Sequence, residues 1–219
     1  MNARPLKIAI VGASGFVGAA LLIEALERGH TVTAIARNTQ RIQPMHQRLI
    51  SLSVDLFDAG AFTLACTDHD IIISAWSPAN ETPNVYEQVL QGAIIIQNAA
   101  VQASVPRLLV IGHAGSLFVA PSLQWVDTPE YPAAWRPIPA AQRDYLNLLQ
   151  QETILNWSYI TPPFDLVSGN RTAVYRTGTH SPLYNEQGRS TISVEDLAVA
   201  VLDEVETPQH SRQRFTVGY

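Results

Sequence analysis

Gly12, Gly15 and Gly18 stand at three-residue intervals in the stretch Lys7 to Gly18, KIAIVGASGFVG, a pattern that can hold a phosphate. The apolar run Ile8 to Val11 ends at the first glycine and a helix-forming segment starts at once, which predicts a strand, a tight turn and a helix. Gly12 allows the turn, Gly15 admits a diphosphate to the backbone, and Gly18 lets the helix lie close to the strand. A helix start presents unbonded N–H groups and a partial positive charge, so Ser14, Phe16 and Val17 join the glycines as the expected cradle.

A second chemical signal follows at the end of the next β-branched run, Thr31 to Ala36, where Arg37 stands 37 − 18 = 19 residues beyond the last glycine. An acidic residue there would bind the ribose 2′-hydroxyl of NAD, whereas an arginine suits the 2′-phosphate of NADP. NADPH is therefore expected over NADH. Arg41 offers a second charge, and Asn38 and Thr39 offer hydrogen bonds. An exposed basic loop is the plainer reading of the same residues. After a third run, Leu49 to Val54, Asp55 is placed to accept from an adenine amino group and Leu56 to pack the ring, although loop capping by Asp55 fits nearly as well. The run Asp70 to Ser74 leads into Ala75 and Trp76, and the small residues Ser74 and Ala75 leave room near the middle of a dinucleotide. Asp68, His69 and Asp70 lie at the entrance of that strand, away from any phosphate, so no metal site is expected.

These residues need a scaffold, and the hydrophobic pattern supplies one. Val17, Leu21 and Ala25, flanked by Leu22 and Leu26, form the buried stripe of a first helix, with Glu24, Glu27 and Arg28 outward and Gly29 as its stop. Thr82 and Pro83 predict the start of a second helix across residues 84 to 103. Arg107 to Ile111 reads as a strand opening into Gly112 to Ser116, a loop expected at the nicotinamide end. Residues 121 to 139 are irregular and rich in proline and aromatics; Trp125, Tyr131 and Trp135 could stack on a flat substrate or simply pin the loop. A helix over about Ala140 to Glu152, a strand over Trp157 to Ile160, a small hairpin within 171 to 192, a helix over Ser193 to Val205 and a strand over Arg214 to Tyr219 complete the chain. The expected fold is α/β: a Rossmann-like doubly wound parallel sheet of six to seven strands, one domain over 1 to 219, with a small C-terminal excursion at about 165 to 192.

A hydrophobic content of 47% with 15% charged residues fits a compact globular chain, and a net charge of −5 with no basic stripe argues against a nucleic-acid partner. Cys66 is the single cysteine, so no intrachain disulfide can form and a cytoplasmic location is expected, with Cys66 a small core or loop residue. No apolar segment is long enough for a membrane span. A monomer or a homodimer is expected.

The series GASGFVG, Arg37, DIIIS, RLLVIGHAGSL, ITPPFDL, ISVEDLAVAVLDEVE and RFTVGY resembles the atypical extended branch of the short-chain dehydrogenase/reductase superfamily across nearly the whole chain. Within that branch it looks like the bacterial NAD(P)H-binding proteins called NADH-flavin reductases, relatives of the biliverdin reductase B type. The resemblance implies a nicotinamide cofactor with the carboxamide bordered by Pro162 and Phe164. The chain departs from the superfamily's usual Tyr-x-x-x-Lys acid/base pair, because Lys7 is the sole lysine and lies in the first strand. Hydride transfer to a flat aromatic or quinone-like acceptor, with FMN or FAD as a possible substrate, needs mainly orientation, and His113 and Ser116 are the expected hydrogen-bond donors to it. Two other readings share the features: a non-enzymatic dinucleotide sensor like the NmrA-type regulators, and an epimerase or dehydratase, which would need an acid/base pair that the sequence lacks.

Overall fold

The computed structural model describes residues 4–219. Its strands are β1 (Lys7–Val11), β2 (Thr31–Ala36), β3 (Leu49–Ser53), β4 (Ile71–Ser74), β5 (Arg107–Ile111), β6 (Phe118–Ala120), β7 (Leu123–Gln124), β8 (Asn156–Thr161), β9 (Asp165–Val167), β10 (Arg176–Gly178), β11 (Thr191–Ser193) and β12 (Gln213–Gly218). The helices are α1 (Phe16–Glu27), α2 (Ala59–Ala65), α3 (Val85–Gln102), α4 (Pro137–Leu149) and α5 (Val194–Glu206).

Eight strands form one sheet in the order β10, β12, β8, β5, β4, β1, β2, β3, parallel throughout except for β10, which runs antiparallel to β12. The chain winds outward from β1 through β2 to β3, then returns to β4 on the other side of β1, so the switch point lies between β1 and β4. There the loops leaving the two strands diverge and open a crevice at their carboxyl ends. Ile8 and Ile10 face a layer made by α1 and α5, whereas Ala9 and Val11 face α2, α3 and α4. Coverage of both faces explains why β4 and β5 are buried at every position instead of alternating, and why, apart from Arg107 at the start of β5, their residues are apolar or small.

Several boundaries depart from expectation. The seven parallel strands match the expected count, and the eighth, β10, is three residues at an edge. The excursion is not a hairpin: β11 pairs in parallel with β9, and β10 joins the main sheet. Helix α2 lies in a stretch for which the sequence suggests no element; Asp58 caps it, its carboxylate accepting from Ala61 N–H at 3.0 Å, and Phe62 is buried. Thr82 and Pro83 do not cap α3, which starts one residue after Asn84, itself in the left-handed region at φ 52°. Glu24 is not on a solvent face. It is buried and accepts from Arg28 Nε at 2.7 Å and from Arg171 Nε and Nη2 at 2.7 and 2.8 Å, tying α1 to the excursion. Among the described residues no helix is long and apolar enough to cross a membrane.

Candidate functional site

At the switch point a cleft of about 430 Å³ runs from the glycine turn to the ends of β2, β3 and β4. Gly12 has φ +84°, and a Cβ there would stand 2.7 Å from the Ala75 carbonyl oxygen and 2.9 Å from Trp76 Cα. The two diverging loops thus touch across this one residue, which a side chain would force apart. Gly15 and Phe16 are exposed at the start of α1, where Gly15 supplies no side-chain cap and no acidic residue occupies the first turn. The first N–H groups of α1 are therefore open to an anion, and this is what a dinucleotide diphosphate requires.

Of the residues expected to bind a cofactor, Gly12, Ser14, Gly15, Phe16, Val17, Arg37, Asp55, Leu56, Ala75 and Trp76 all line this cleft. Arg37 is exposed at the end of β2, and among the described residues its guanidinium pairs with no carboxylate. One Asp55 carboxylate oxygen accepts from Phe57 N–H at 3.1 Å, the capping role weighed above, which leaves the other oxygen unengaged by that turn. Trp76 forms a wall: its ring lies so close to α3 that a Cβ on Gly92 would reach within 2.6 Å of its Cη2, and Phe57 meets it edge-on at 6.0 Å. Phe57, Ser77, Thr82 and Gln88 also line the cleft and were not foreseen. Phe57 follows directly on Leu56, but Ser77, Thr82 and Gln88 reach the cleft only through the path between β4 and α3.

Six expected cofactor residues lie off the cleft, three of them, Gly18, Asn38 and Ser74, beside it. Gly18 packs α1 against the turn, since a Cβ there would overlap the Gly12 carbonyl and come 2.8 Å from Ala13 Cα. Asn38 spends its side-chain oxygen on Gln40 N–H at 2.9 Å, capping the short turn Thr39–Arg41. Ser74 is buried within β4 opposite Val11 and Val110.

His113, Pro162 and Phe164 belong to the other half of the sheet, at the ends of β5 and β8 and outside this cleft. Pro162 is buried and, lacking an N–H, can offer a ligand only its carbonyl. Phe164 packs on Trp125 with ring centroids 4.3 Å apart, and Trp125 meets Tyr131 at 4.9 Å. Trp125 and Tyr131 therefore pin their loop to the body, and only Trp135, 67% exposed, stands free. The fold corrects the role expected for Ser116. It is wholly buried, and its hydroxyl donates to the His113 carbonyl at 3.0 Å, so it braces the turn and does not reach an acceptor.

His113 Nδ1 accepts the Gly115 N–H at 3.0 Å, which leaves the proton of a neutral ring on Nε2. Burial pushes its pKa down to about 4, so at neutral pH it is a hydrogen-bond donor and not a charged acid. Tyr145 and Tyr159 are buried with their pKa values raised by desolvation, and the chain's one lysine, Lys7, opens β1 at the opposite end of the sheet. No tyrosine is poised for proton transfer beside a lysine.

A family model described as NAD(P)H-binding matches residues 12–208. The uncharacterized protein YwnB of Bacillus subtilis is 38% identical over 216 residues, spanning 97% of this chain and 98% of YwnB. A solved structure from Bacteroides thetaiotaomicron, provisionally named an epimerase, superposes with TM-score 0.92 at 38% identity, covering 99% of this chain and 98% of that one. Another, from Streptococcus pneumoniae and provisionally named an NADH-flavin reductase, gives TM-score 0.85 at 31% identity with 97% and 99% covered.

Proposed function

This chain belongs to the NAD(P)H-binding family of Rossmann-type oxidoreductases, and from that premise we propose that it is an NADPH-dependent reductase of flat, conjugated acceptors of the flavin or quinone type. The observation that carries the cofactor choice is Arg37, an exposed guanidinium on the cleft with no carboxylate partner among the described residues. The glycine turn and the open first turn of α1 would hold the diphosphate, Arg37 the 2′-phosphate, and Asp55 with Leu56 the adenine. When bound, the nicotinamide supplies a hydride.

The chain's own residues orient more than they react. His113 Nε2–H is available to an acceptor oxygen or nitrogen, and the turn at 114 to 116 fixes its direction. With no Tyr/Lys pair, a carbonyl that needs a proton delivered during reduction is poorly served, whereas a conjugated ring system spreads the incoming charge and takes its proton from water. Epimerisation is disfavoured for the same reason.

Arg37→Ala tests the cofactor assignment. Loss of a charge-assisted contact to the 2′-phosphate is expected to weaken NADPH binding by about 1.5 to 3 kcal/mol, roughly 10- to 150-fold, and to leave NADH nearly unchanged. Fluorescence titration with both dinucleotides measures this, and equal losses for the two would make Arg37 a surface charge only.

A further inference from the structure

We propose that Arg214 is a positioning residue that fixes the His113 imidazole by clamping the turn Ala114–Ser116 from across the sheet. This rests on the reading of His113 as the group facing the acceptor.

Arg214 lies on β12 opposite Tyr159 of β8 and is only 6% exposed. Among the described residues it has no carboxylate partner, unlike the other buried guanidinium on the sheet, Arg107, which pairs with Glu204. Burial draws its pKa down to about 10, so it keeps its charge at neutral pH. A buried cation without a counterion is costly, and an apolar side chain of similar volume would fill the space more cheaply. What the guanidinium does instead is reach two carbonyls that no single-donor side chain could bridge. Nη1 donates to the Ser116 carbonyl at 2.9 Å, 98 residues away in sequence, and Nη2 donates to the carbonyl of His180 in the excursion. The Phe118 ring closes the site, 5.8 Å from Cζ.

The clamped carbonyl is the hub of the turn. Gln124 Nε2 also donates to it at 2.9 Å, while the Ser116 N–H and hydroxyl both donate to the His113 carbonyl at 3.1 and 3.0 Å. Gly115, whose N–H sets the His113 tautomer, is pressed against α4 so closely that a Cβ would come 2.6 Å from Pro139 Cβ. The turn is held between α4 and the guanidinium, and releasing one side frees Gly115 N–H from His113 Nδ1. None of these contacts involves the residues of the cofactor cleft.

The test compares Arg214→Met and Arg214→Lys with the wild type, each checked for folding by thermal melting. Expected for the methionine variant is a kcat about 10- to 100-fold lower with NADPH and menadione, with the KM for NADPH changed less than about two-fold, because misplacing one group costs chemistry and spares binding elsewhere. Nitrogen NMR shifts of the His113 ring should move from a single Nε2–H form to a mixture of tautomers, and the Gly115 amide should exchange faster. The lysine variant, which restores the charge and one donor, should recover part of both. The proposal is overturned by unmoved ring shifts and Gly115 exchange in a folded variant, whatever happens to melting temperature, and equally by a kcat within about two-fold of wild type. Should Arg214→Met not fold, Arg214→Lys and Ser116→Ala decide by the same shifts. A wild-type protein that consumes no NADPH would remove the reductase reading, while the ring shifts would still decide whether Arg214 positions His113.

Discussion

Asp196→Ala is expected to lower the stability of the fold by about 3 to 5 kcal/mol, the range for stranding the partners of a buried charged group. Asp196 sits in the first turn of α5 and is wholly buried. One carboxylate oxygen accepts from the N–H groups of Thr172 and Ala173, each at 2.7 Å, and the other accepts from the Thr172 and Tyr219 hydroxyls, each at 2.6 Å. The residue thus ties the excursion and the last residue of the chain to the start of one helix, and it holds Ala173 in the left-handed region at φ 58°. Burial alone would raise its pKa, but the hydrogen bonds from Thr172, Tyr219 and Ala173 hold it below the usual carboxylate range. Its contribution is therefore complete above about pH 4 and drains away as pH falls through the lowered value. Denaturant unfolding at neutral pH measures the loss. Asn at this position should do little better than Ala, because its amide N–H groups would face donors; an Asn variant of wild-type stability would show that shape and not charge matters there.

Gly18→Ala should be nearly as damaging, and it should remove dinucleotide binding as well. Alanine favours a helix interior by about 1 kcal/mol over glycine, so on propensity alone the substitution would stabilise α1. Packing decides the opposite sign. The new methyl would overlap the Gly12 carbonyl and approach its carbon at 2.7 Å and Ala13 Cα at 2.8 Å, all backbone atoms of the turn and none free to rotate away. Either α1 tilts off the sheet or the turn unwinds, at a cost of about 3 kcal/mol, the upper end for overpacking. Both movements displace the N–H groups that a diphosphate needs. Calorimetric titration with NADPH should find binding lost in protein that still folds; retained affinity would show that the turn tolerates the extra carbon.

The turn itself was legible because its chemistry is local: Gly12, Gly15 and Gly18 are close along the chain, and strand and helix follow from the flanking residues. Arg37 was legible for a similar reason, since one helix and one strand of standard length bring it back to the same edge. What stayed hidden depends on partners distant in sequence. Ser116 looks like a donor to substrate until its hydroxyl is seen bonded to His113, and Glu24 looks solvent-facing until Arg171 arrives from 147 residues away. Asn38 shows that a polar residue beside a true cleft residue can be occupied by its own turn. Helix α2 and strand β10 are too short for periodicity to reveal, with seven and three residues respectively. The excursion looked like a hairpin because its turn at Asn185 to Gly188 is real, but its strands pair with β9 and β12 instead of with each other.

The reductase activity is tested most directly by the consumption of NADPH by the purified protein with FMN and with menadione as acceptors. Turnover above the free-solution rate is expected, level between about pH 5.5 and 8 because His113 stays neutral until pH approaches about 4. Tight NADPH binding with no turnover above background for either acceptor would contradict the reductase reading, and would leave the protein a dinucleotide-binding sensor.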